Sequence, residues 1–230
     1  MLKRPWLMTQ QWHDVLFLHW PVSPELVRQH IPAEMELDLY NNMAWIGFVY
    51  FKVKGNRPRF IPPIPGVQAY LELNVRTYVT YKGRQGIHAF SLDVNNSLIV
   101  KLTTFGDFLP YRHAKLALKR QKKKFTYSRL GEGNSAPETF STTFEVVSKT
   151  IESNQFEQWL TERYHLWTQT KDHLFRLDTC HSPWMLQQVT GTIHENTMAP
   201  FLQSNFQTES PVAHYSKMKK ARFYTPVKEY

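Results

Sequence analysis

The sequence predicts an α+β protein in which a largely antiparallel sheet dominates, curled or closed on itself, with three or four short helices. Short strand-like runs bounded by turn residues recur along the chain, and strands do not alternate regularly with helices. Hydrophobic residues make up 42% and aromatic residues 14% of the 230 residues, which is enough for a packed interior. We therefore expect residues 1–230 to form one domain.

The first half of the chain predicts strands, hairpins and two short helices. Ser23 and Pro24 suit a helix start, because a hydroxyl caps free N–H groups and proline is tolerated in the first turn. Residues 55–66 hold four prolines and two glycines, which favours a loop over a central strand. The predicted elements are a strand over 13–22, a helix over 24–30, a hairpin of 35–40 and 43–53, a hairpin of 68–81 and 86–94, and a helix over 95–104.

The second half continues with short strands and one clear amphipathic helix. Phe156, Trp159 and Leu160 recur at helical spacing, so residues 153–160 predict a helix with one apolar face. Residues 131–137 combine glycine and proline and predict a loop. The remaining predicted strands cover 111–130, 139–149, 166–169, 173–178, 184–194 and 221–227.

The formal net charge of +9 favours encounters with anionic partners. Basic side chains are concentrated in residues 119–124 and 217–222. We favour a solvated hairpin and a basic tail that keep the protein in solution. Binding of a polyanion or nucleic acid through 119–124 is kept as an alternative.

Several other classes of function lack support in the sequence. No apolar run approaches the roughly 18 residues that a membrane helix needs, and Cys180 is the single cysteine, so we expect a cytoplasmic protein without membrane contact. The histidines do not follow metal-ligand spacing, and no phosphate-binding or dinucleotide-binding loop is present. We therefore expect neither a bound metal nor a cofactor.

A polar strand face is the best candidate for a site. Along residues 70–80, Glu72, Asn74 and Arg76 alternate with apolar side chains and so point to one face. If that face lines a cavity, Arg76 can bind a carboxylate with its guanidinium fork, and Glu72 can act as a base or orient the ligand. The alternative is a solvated face with a Glu-Arg surface pair of little energetic worth.

Several segments in order resemble one bacterial family. They are Phe17-Leu18-His19-Trp20-Pro21-Val22 with Pro24-Glu25-Leu26, Ala44-Trp45-Ile46-Gly47, Arg57-Pro58-Arg59, Glu72-Leu73-Asn74-Val75-Arg76-Thr77-Tyr78-Val79, Phe90-Ser91-Leu92-Asp93 and Leu109-Pro110-Tyr111. On these segments the chain is identified as a member of the uncharacterised YqjF-like family of the acetoacetate decarboxylase superfamily. The resemblance implies a strand-rich barrel or cone with an internal ligand cavity, in which Glu72 is the counterpart of a cavity glutamate.

The resemblance also implies where a catalytic lysine should stand. Acetoacetate decarboxylase forms a Schiff base through a lysine in an aromatic-Pro-Lys-Lys motif. The matching segment here places Tyr111 at the reactive lysine and Arg112 at its neighbour. Neither side chain can form an imine, so the decarboxylase mechanism does not carry over. Lys115, four residues beyond Tyr111, is a minor candidate for a replacement nucleophile.

We therefore predict a small-molecule-binding protein whose ligand is a small organic acid or carbonyl compound. Its predicted ligand-binding residues are Glu72, Asn74, Arg76, Tyr111 and Arg112. An alternative is an acid-base enzyme, a lyase, hydratase or isomerase, that uses Glu72 as base and Tyr111 as acid or oxyanion donor in the same cavity. Whether the chain forms a homo-oligomer is left open.

Overall fold

The computed structural model describes residues 4–62, 64–103, 109–131 and 138–229. These residues form a mostly antiparallel sheet, three α-helices and two 3₁₀ turns. The strands are β1 (Trp6–Val22), β2 (Glu36–Leu37), β3 (Ala44–Pro58), β4 (Ala69–Tyr81), β5 (Arg84–Val94), β6 (Tyr111–His113), β7 (Lys115–Gln121), β8 (Lys124–Leu130), β9 (Thr139–Thr150), β10 (His165–Gln169), β11 (Leu174–Cys180), β12 (Gln187–Asn196), β13 (Val212–Tyr224) and β14 (Val227–Lys228). The helices are α1 (Pro24–Arg28), α2 (Ser97–Thr103) and α3 (Gln155–Thr161).

Seven strands close into a ring. Hydrogen bonding runs in the order β11-β10-β5-β4-β3-β1-β13, and β13 returns to β11 through the pair Thr179–Phe223. Most neighbours are antiparallel, whereas β5 pairs in parallel with β10 and with β6. The prediction of a strand-rich, curled or closed sheet with a few short helices is confirmed.

The strand β13 belongs to both parts of the sheet. Its C-terminal end pairs with β11 in the ring, and its N-terminal end pairs with β12, from which β9, β8 and β7 continue. The largest apolar cluster includes Trp20, Phe48 and Tyr127 and packs ring strands against this extension. A second cluster around Phe17, Phe51 and Trp184 packs beside the interior of the ring.

Two predicted elements in the first half of the chain differ from the structure. The expected hairpin of 35–40 and 43–53 is reduced to a bridge between Tyr40 and Met43, because β2 pairs with β4 instead. The expected loop at 55–66 begins later, since β3 continues to Pro58, whose missing N–H falls at the strand end. Gly55 permits this course with a φ of +57°.

The predicted basic tail is a strand. The expected strand covered only residues 221–227, whereas β13 begins at Val212 and pairs with β1 along its whole length. Pairing with a central strand buries Lys219, whereas Lys217, Lys220 and Arg222 remain exposed, so the segment is a strand with one solvated face. Most of the loop predicted over 131–137 lies outside the described residues.

Candidate functional site

The ring encloses a cavity of about 180 Å³. Every one of its seven strands contributes side chains, so the cavity depends on closure of the sheet. Apolar groups form most of the wall: Met8, Trp12, Phe51, Ile87, Leu92, Leu109, Leu166, Leu177, Trp184 and Phe223. The polar and titratable groups are Gln10, Glu72, Asn74, Arg76, Thr103, Tyr111, Thr161, Arg163, His165, Thr179 and His181.

Strand β4 supplies the three polar side chains that the sequence singled out. Glu72, Asn74 and Arg76 alternate along β4, which lies between β3 and β5, and all three line the cavity. Glu72 is 5% exposed and Arg76 is 8% exposed. Their burial excludes the alternative of a solvated face with a surface ion pair, and within the described residues no ion pair joins them.

Arg76 is a buried cation without a carboxylate partner among the described residues. Its Nε and Nη2 atoms are buried and find no hydrogen-bond partner there. Its guanidinium carbon lies 5.9 Å from the centre of the Tyr78 ring. Burial lowers the pKa of Arg76, yet arginine remains protonated at physiological pH. The Nε and Nη2 edge is the face of a guanidinium that binds a carboxylate with two parallel hydrogen bonds.

Burial favours the protonated form of the Glu72 carboxyl group. Burial raises the pKa of its carboxyl group from the ordinary 4.5 to about 8, although a hydrogen bond with Asn74 acts in the opposite direction. The group is therefore mainly protonated near pH 7. A neutral carboxyl group can donate a hydrogen bond to a carbonyl oxygen, which a carboxylate cannot do.

Tyr111 adds a second donor. The strand β6 pairs in parallel with β5, with Tyr111 opposite Leu92, and this register brings the phenol to the cavity. Burial raises the pKa of Tyr111 well above its ordinary value, and the proximity of Glu72 and Tyr70 raises it further. The phenol thus keeps its proton across the physiological range.

Arg112, predicted as a ligand-binding residue, does not line the cavity. Its Nε and Nη2 atoms donate to the two carboxylate oxygens of Asp93 at 2.6 and 3.1 Å, and Nη1 donates to Glu138 at 2.6 Å. Arg129 donates to the same buried Asp93 at 2.7 Å. Adjacent strand residues face opposite ways, so Tyr111 reaches the cavity and Arg112 joins an ion-pair network. We do not retain Arg112 as a ligand-binding residue.

The minor nucleophile candidate, Lys115, is exposed on β7 and is not a cavity residue. No lysine occurs among the described residues that line the cavity. Lys219 lies nearby with Nζ 5.4 Å from the Trp184 ring, and it donates to Ser182 and Pro183. Burial lowers the pKa of Lys219.

Arg163 is a cavity residue that sequence analysis missed. Its Nη1 donates to Asp38 at 2.5 Å and its Nε to the Trp159 carbonyl at 2.7 Å, while buried Nη2 has no partner in the described part of the chain. Asp38 therefore compensates its charge. Neither position belongs to a recognisable motif, and their contact depends on how α3 packs, so the sequence contained no signal for it.

His165 and Asp178 form a second pair that sequence analysis missed. They lie directly opposite each other on β10 and β11, and His165 Nδ1 is 2.7 Å from Asp178 Oδ1. Asp178 is fully buried and also accepts from Arg176 Nε at 2.8 Å and from Arg4. The His165 side chain is 28% exposed and lies on the same sheet face as Trp167 and Arg176, whereas the neighbouring Leu166 and Leu177 face the cavity. A cross-strand pair of this kind becomes visible only when the strand register is known.

Within the described ranges, no three His, Cys, Asp or Glu side chains are grouped so that they could hold a metal ion. The helices found there are also too short and polar to cross a bilayer.

The fold is that of acetoacetate decarboxylase-like proteins. The chain superposes on the enduracididine biosynthesis enzyme MppR complexed with pyruvate with a TM-score of 0.68 at 11% identity, covering 99% of this chain and 91% of MppR. An acetoacetate decarboxylase-like enzyme from Sphingomonas wittichii RW1 gives a TM-score of 0.66 at 10% identity, with coverage of 97% and 93%. Acetoacetate decarboxylase from Legionella pneumophila gives 0.61 at 14% identity, with coverage of 100% and 91%. At these identities the similarity defines the fold alone.

Sequence similarity defines the family. Residues 9–220 match the DUF2071 family, described as an uncharacterized conserved protein. The chain is also 37% identical over 221 residues to the uncharacterized protein YqjF of Bacillus subtilis (strain 168), covering 95% of this chain and 91% of that protein. The chain belongs to the DUF2071 family, and the predicted resemblance to YqjF-like proteins is confirmed.

Proposed function

We propose that the cavity binds a small monocarboxylic acid that carries a carbonyl group, with Arg76 holding the carboxylate. The observation that carries this proposal is the buried guanidinium whose Nε and Nη2 edge has no partner in the described residues. An unpaired buried charge is costly, and an anion that enters the cavity relieves this cost. A planar carboxylate matches the guanidinium fork best.

The charge of the cavity favours one negative charge on the ligand. Asp38 compensates Arg163, and Glu72, with a pKa of about 8, is mainly neutral at pH 7. Arg76 is then the one uncompensated cation among the described lining residues. A dicarboxylate would bring a second negative charge into an apolar enclosure without a matching cation, and we expect the cavity to exclude it.

The carbonyl group is inferred from two donors that line the same cavity as Arg76. The protonated Glu72 carboxyl group and the Tyr111 phenol can both donate to a carbonyl oxygen. The volume of about 180 Å³ lies below the range typical of drug-sized ligands, which points to a small acid. The solved pyruvate complex of MppR, a protein of the same fold, supports this class of ligand.

Binding by this proposal is non-covalent. An imine requires a primary amine, and none of the described lining residues is a lysine. Borohydride reduction in the presence of pyruvate or acetoacetate, followed by intact mass, should therefore leave the protein mass unchanged. A stable adduct would show that a lysine does reach the ligand and would contradict this part of the proposal.

Calorimetric titration with matched ligands tests the proposal. Pyruvate and 2-oxobutyrate should bind, whereas pyruvamide lacks the carboxylate, lactate lacks the carbonyl group, and 2-oxoglutarate carries a second carboxylate; all three should bind at least tenfold more weakly. Binding of pyruvamide as tight as that of pyruvate would refute the role of Arg76.

The same donors favour a second candidate function, an acid-base enzyme. Glu72 and Tyr111 line one cavity and interact electrostatically, and both retain protons at pH 7. The predicted role of Glu72 as base is thereby replaced by that of a proton donor to a developing oxyanion. If turnover of an oxo acid is found, it should fall in Glu72→Gln and Tyr111→Phe; turnover unchanged in both variants would eliminate this candidate.

A further inference from the structure

We propose that Asp38 sets the charge of the ligand that the cavity accepts, and that Arg163, the arginine it neutralises, donates a further hydrogen bond to the carboxylate held by Arg76. The inference rests on the proposed binding function and deepens it. It assigns a binding role to Arg163, and it assigns a role in specificity to Asp38, which is not one of the described lining residues.

The guanidinium group of Arg163 is fixed in one orientation. Its Nε donates to the Trp159 carbonyl oxygen at 2.7 Å, and its Nη1 donates to Asp38 Oδ2 at 2.5 Å. The Trp159 and Tyr78 rings pack against it, with their centres 4.7 and 4.9 Å from the guanidinium carbon. Arg163 lines the cavity, and its buried Nη2 has no hydrogen-bond partner among the described residues. Nη2 is therefore the donor of Arg163 that a ligand can satisfy.

Arg76 and Arg163 lie against the same aromatic ring. The guanidinium carbon of Arg76 is 5.9 Å from the centre of the Tyr78 ring, and both arginines line one cavity. Burial is the main cause that lowers the pKa of Arg76, and the charge of nearby Arg163 also lowers it. A carboxylate that accepts two bonds from the Nε and Nη2 edge of Arg76 keeps free lone pairs, and one of them can accept from Arg163 Nη2.

Asp38 is anchored beside Arg163 by contacts of its own. Its carboxylate also accepts from Trp159 Nε1 at 3.2 Å, and its backbone N–H donates to the Tyr78 carbonyl oxygen at 3.0 Å. Without the charge of Asp38, the described lining residues would include two uncompensated arginines, because Glu72 is mainly neutral at pH 7. Two buried cations can balance two carboxylates, so the loss of this one charge should admit a dicarboxylate.

Two ligands of equal chain length measure the role of Asp38. Both 2-oxopentanoate and 2-oxoglutarate have five carbons, and only 2-oxoglutarate carries a second carboxylate. In calorimetric titrations the wild-type protein should bind 2-oxopentanoate at least tenfold more tightly. Asp38→Asn keeps the shape of the side chain and removes its charge, so this preference should shrink at least tenfold. The control Asp172→Asn removes the same charge from an exposed residue and should keep the wild-type preference.

A conservative replacement tests the donor on Arg163. Arg163→Lys retains a cation beside Asp38 but lacks Nη2, so it should weaken pyruvate binding about tenfold, as expected for one lost charge-assisted hydrogen bond. The exclusion of 2-oxoglutarate should persist, because the charges are unchanged. Arg28→Lys is the control and should bind pyruvate like wild type, since Arg28 donates to the Pro32 and Met35 carbonyl oxygens and is not a described lining residue.

A double variant with Asp38→Asn and Arg163→Gln covers the case in which an unpaired Arg163 prevents folding. It has no charge at either position, so it should exclude 2-oxoglutarate again, and tight binding of that acid would contradict the role of Asp38. Absence of pyruvate binding to the wild-type protein refutes both the inference and the proposed function. If wild type binds pyruvate, an unchanged ligand preference in folded Asp38→Asn, or unchanged pyruvate affinity in Arg163→Lys, overturns the inference alone.

Discussion

At the residue scale, the surroundings of each arginine decide its role. Arg76 and Arg112 both lie close to the predicted cavity residues in sequence, but Arg112 is bound by Asp93 and Glu138, and Arg76 has no described carboxylate partner. A guanidinium already held by two carboxylates stabilises the fold. A guanidinium without a carboxylate partner is available to bind a ligand.

Replacing these arginines should separate the two roles. Arg76→Met should abolish pyruvate binding and leave stability equal or higher, because it removes an uncompensated buried charge. Arg112→Met should lower the free energy of unfolding by about 2–4 kcal/mol and leave affinity within twofold, since it breaks a partly buried ion-pair network. Calorimetry and urea denaturation measure both effects, with the exposed variant Arg57→Met as control. If Arg112→Met lost pyruvate binding and Arg76→Met kept it, Arg112 and not Arg76 would be the ligand-binding residue.

Glu72 should make stability depend on pH. Its pKa of about 8 in the folded state exceeds the ordinary 4.5, so the folded protein binds more protons than the unfolded chain between these values. Stability should therefore fall as pH rises through this window, by a few kcal/mol in total. In urea denaturation, Glu72→Gln should gain stability relative to wild type from pH 5.5 to 8.5. The control variant Glu34→Gln changes an exposed residue and should show no such gain in stability. If the free energy of unfolding of wild type and of Glu72→Gln depended on pH in the same way, the carboxyl group of Glu72 would not be buried and protonated.

At the element scale, local sequence rules describe several elements correctly. The predicted hairpin of β4 and β5 is found, but its turn is the two residues Lys82 and Gly83, with φ values of 48° and 72°, where the prediction had a four-residue connection. The apolar spacing of 153–160 is found in α3, although the helix starts at Gln155. Pairing between distant strands was not predictable in this way, as the unexpected β2–β4 pair shows.

The cap of α3 offers an element-level test. Asn154 accepts from Glu157 N at 3.0 Å, and the Glu157 side chain accepts from Asn154 N at 2.8 Å, so the two residues form a capping box. Asn154→Ala should lower the free energy of unfolding by about 1 kcal/mol in urea denaturation. Ser153→Ala is the neighbouring control, and a difference below about 0.3 kcal/mol between the two variants would argue against the capping role.

At the scale of the whole molecule, the basic segment 119–124 lies at an edge of the sheet. The strand β7 pairs with β8 on one side and ends the strand order. Lysine at an edge opposes pairing with another chain, which gives these charges a structural purpose. Polyanion binding through 119–124 remains a separate proposal, and a steep fall of heparin retention with salt would favour it.

Removing edge charges should promote association. We expect the double replacement of Lys115 and Lys119, both exposed on the edge strand β7, by threonine to shift sedimentation toward larger species, because a neutral, β-prone edge can pair with a second copy. Replacing the exposed Lys54 and Lys149 by threonine removes the same charge elsewhere and is the control. Equal association of both variants would attribute the effect to net charge instead of the edge.

The sequence by itself determined the strand-rich fold class, the family, and the polar series Glu72, Asn74 and Arg76 on one face of β4, because alternation along a strand is a local property. Only the tertiary structure decided that this face is enclosed, because closure requires β13 to meet both β1 and β11. It also placed Arg163 beside Asp38 and His165 beside Asp178. Each of these contacts joins residues from different parts of the chain. The pKa of Glu72 is raised because its carboxyl group is buried, and that burial arises only when the whole ring excludes water.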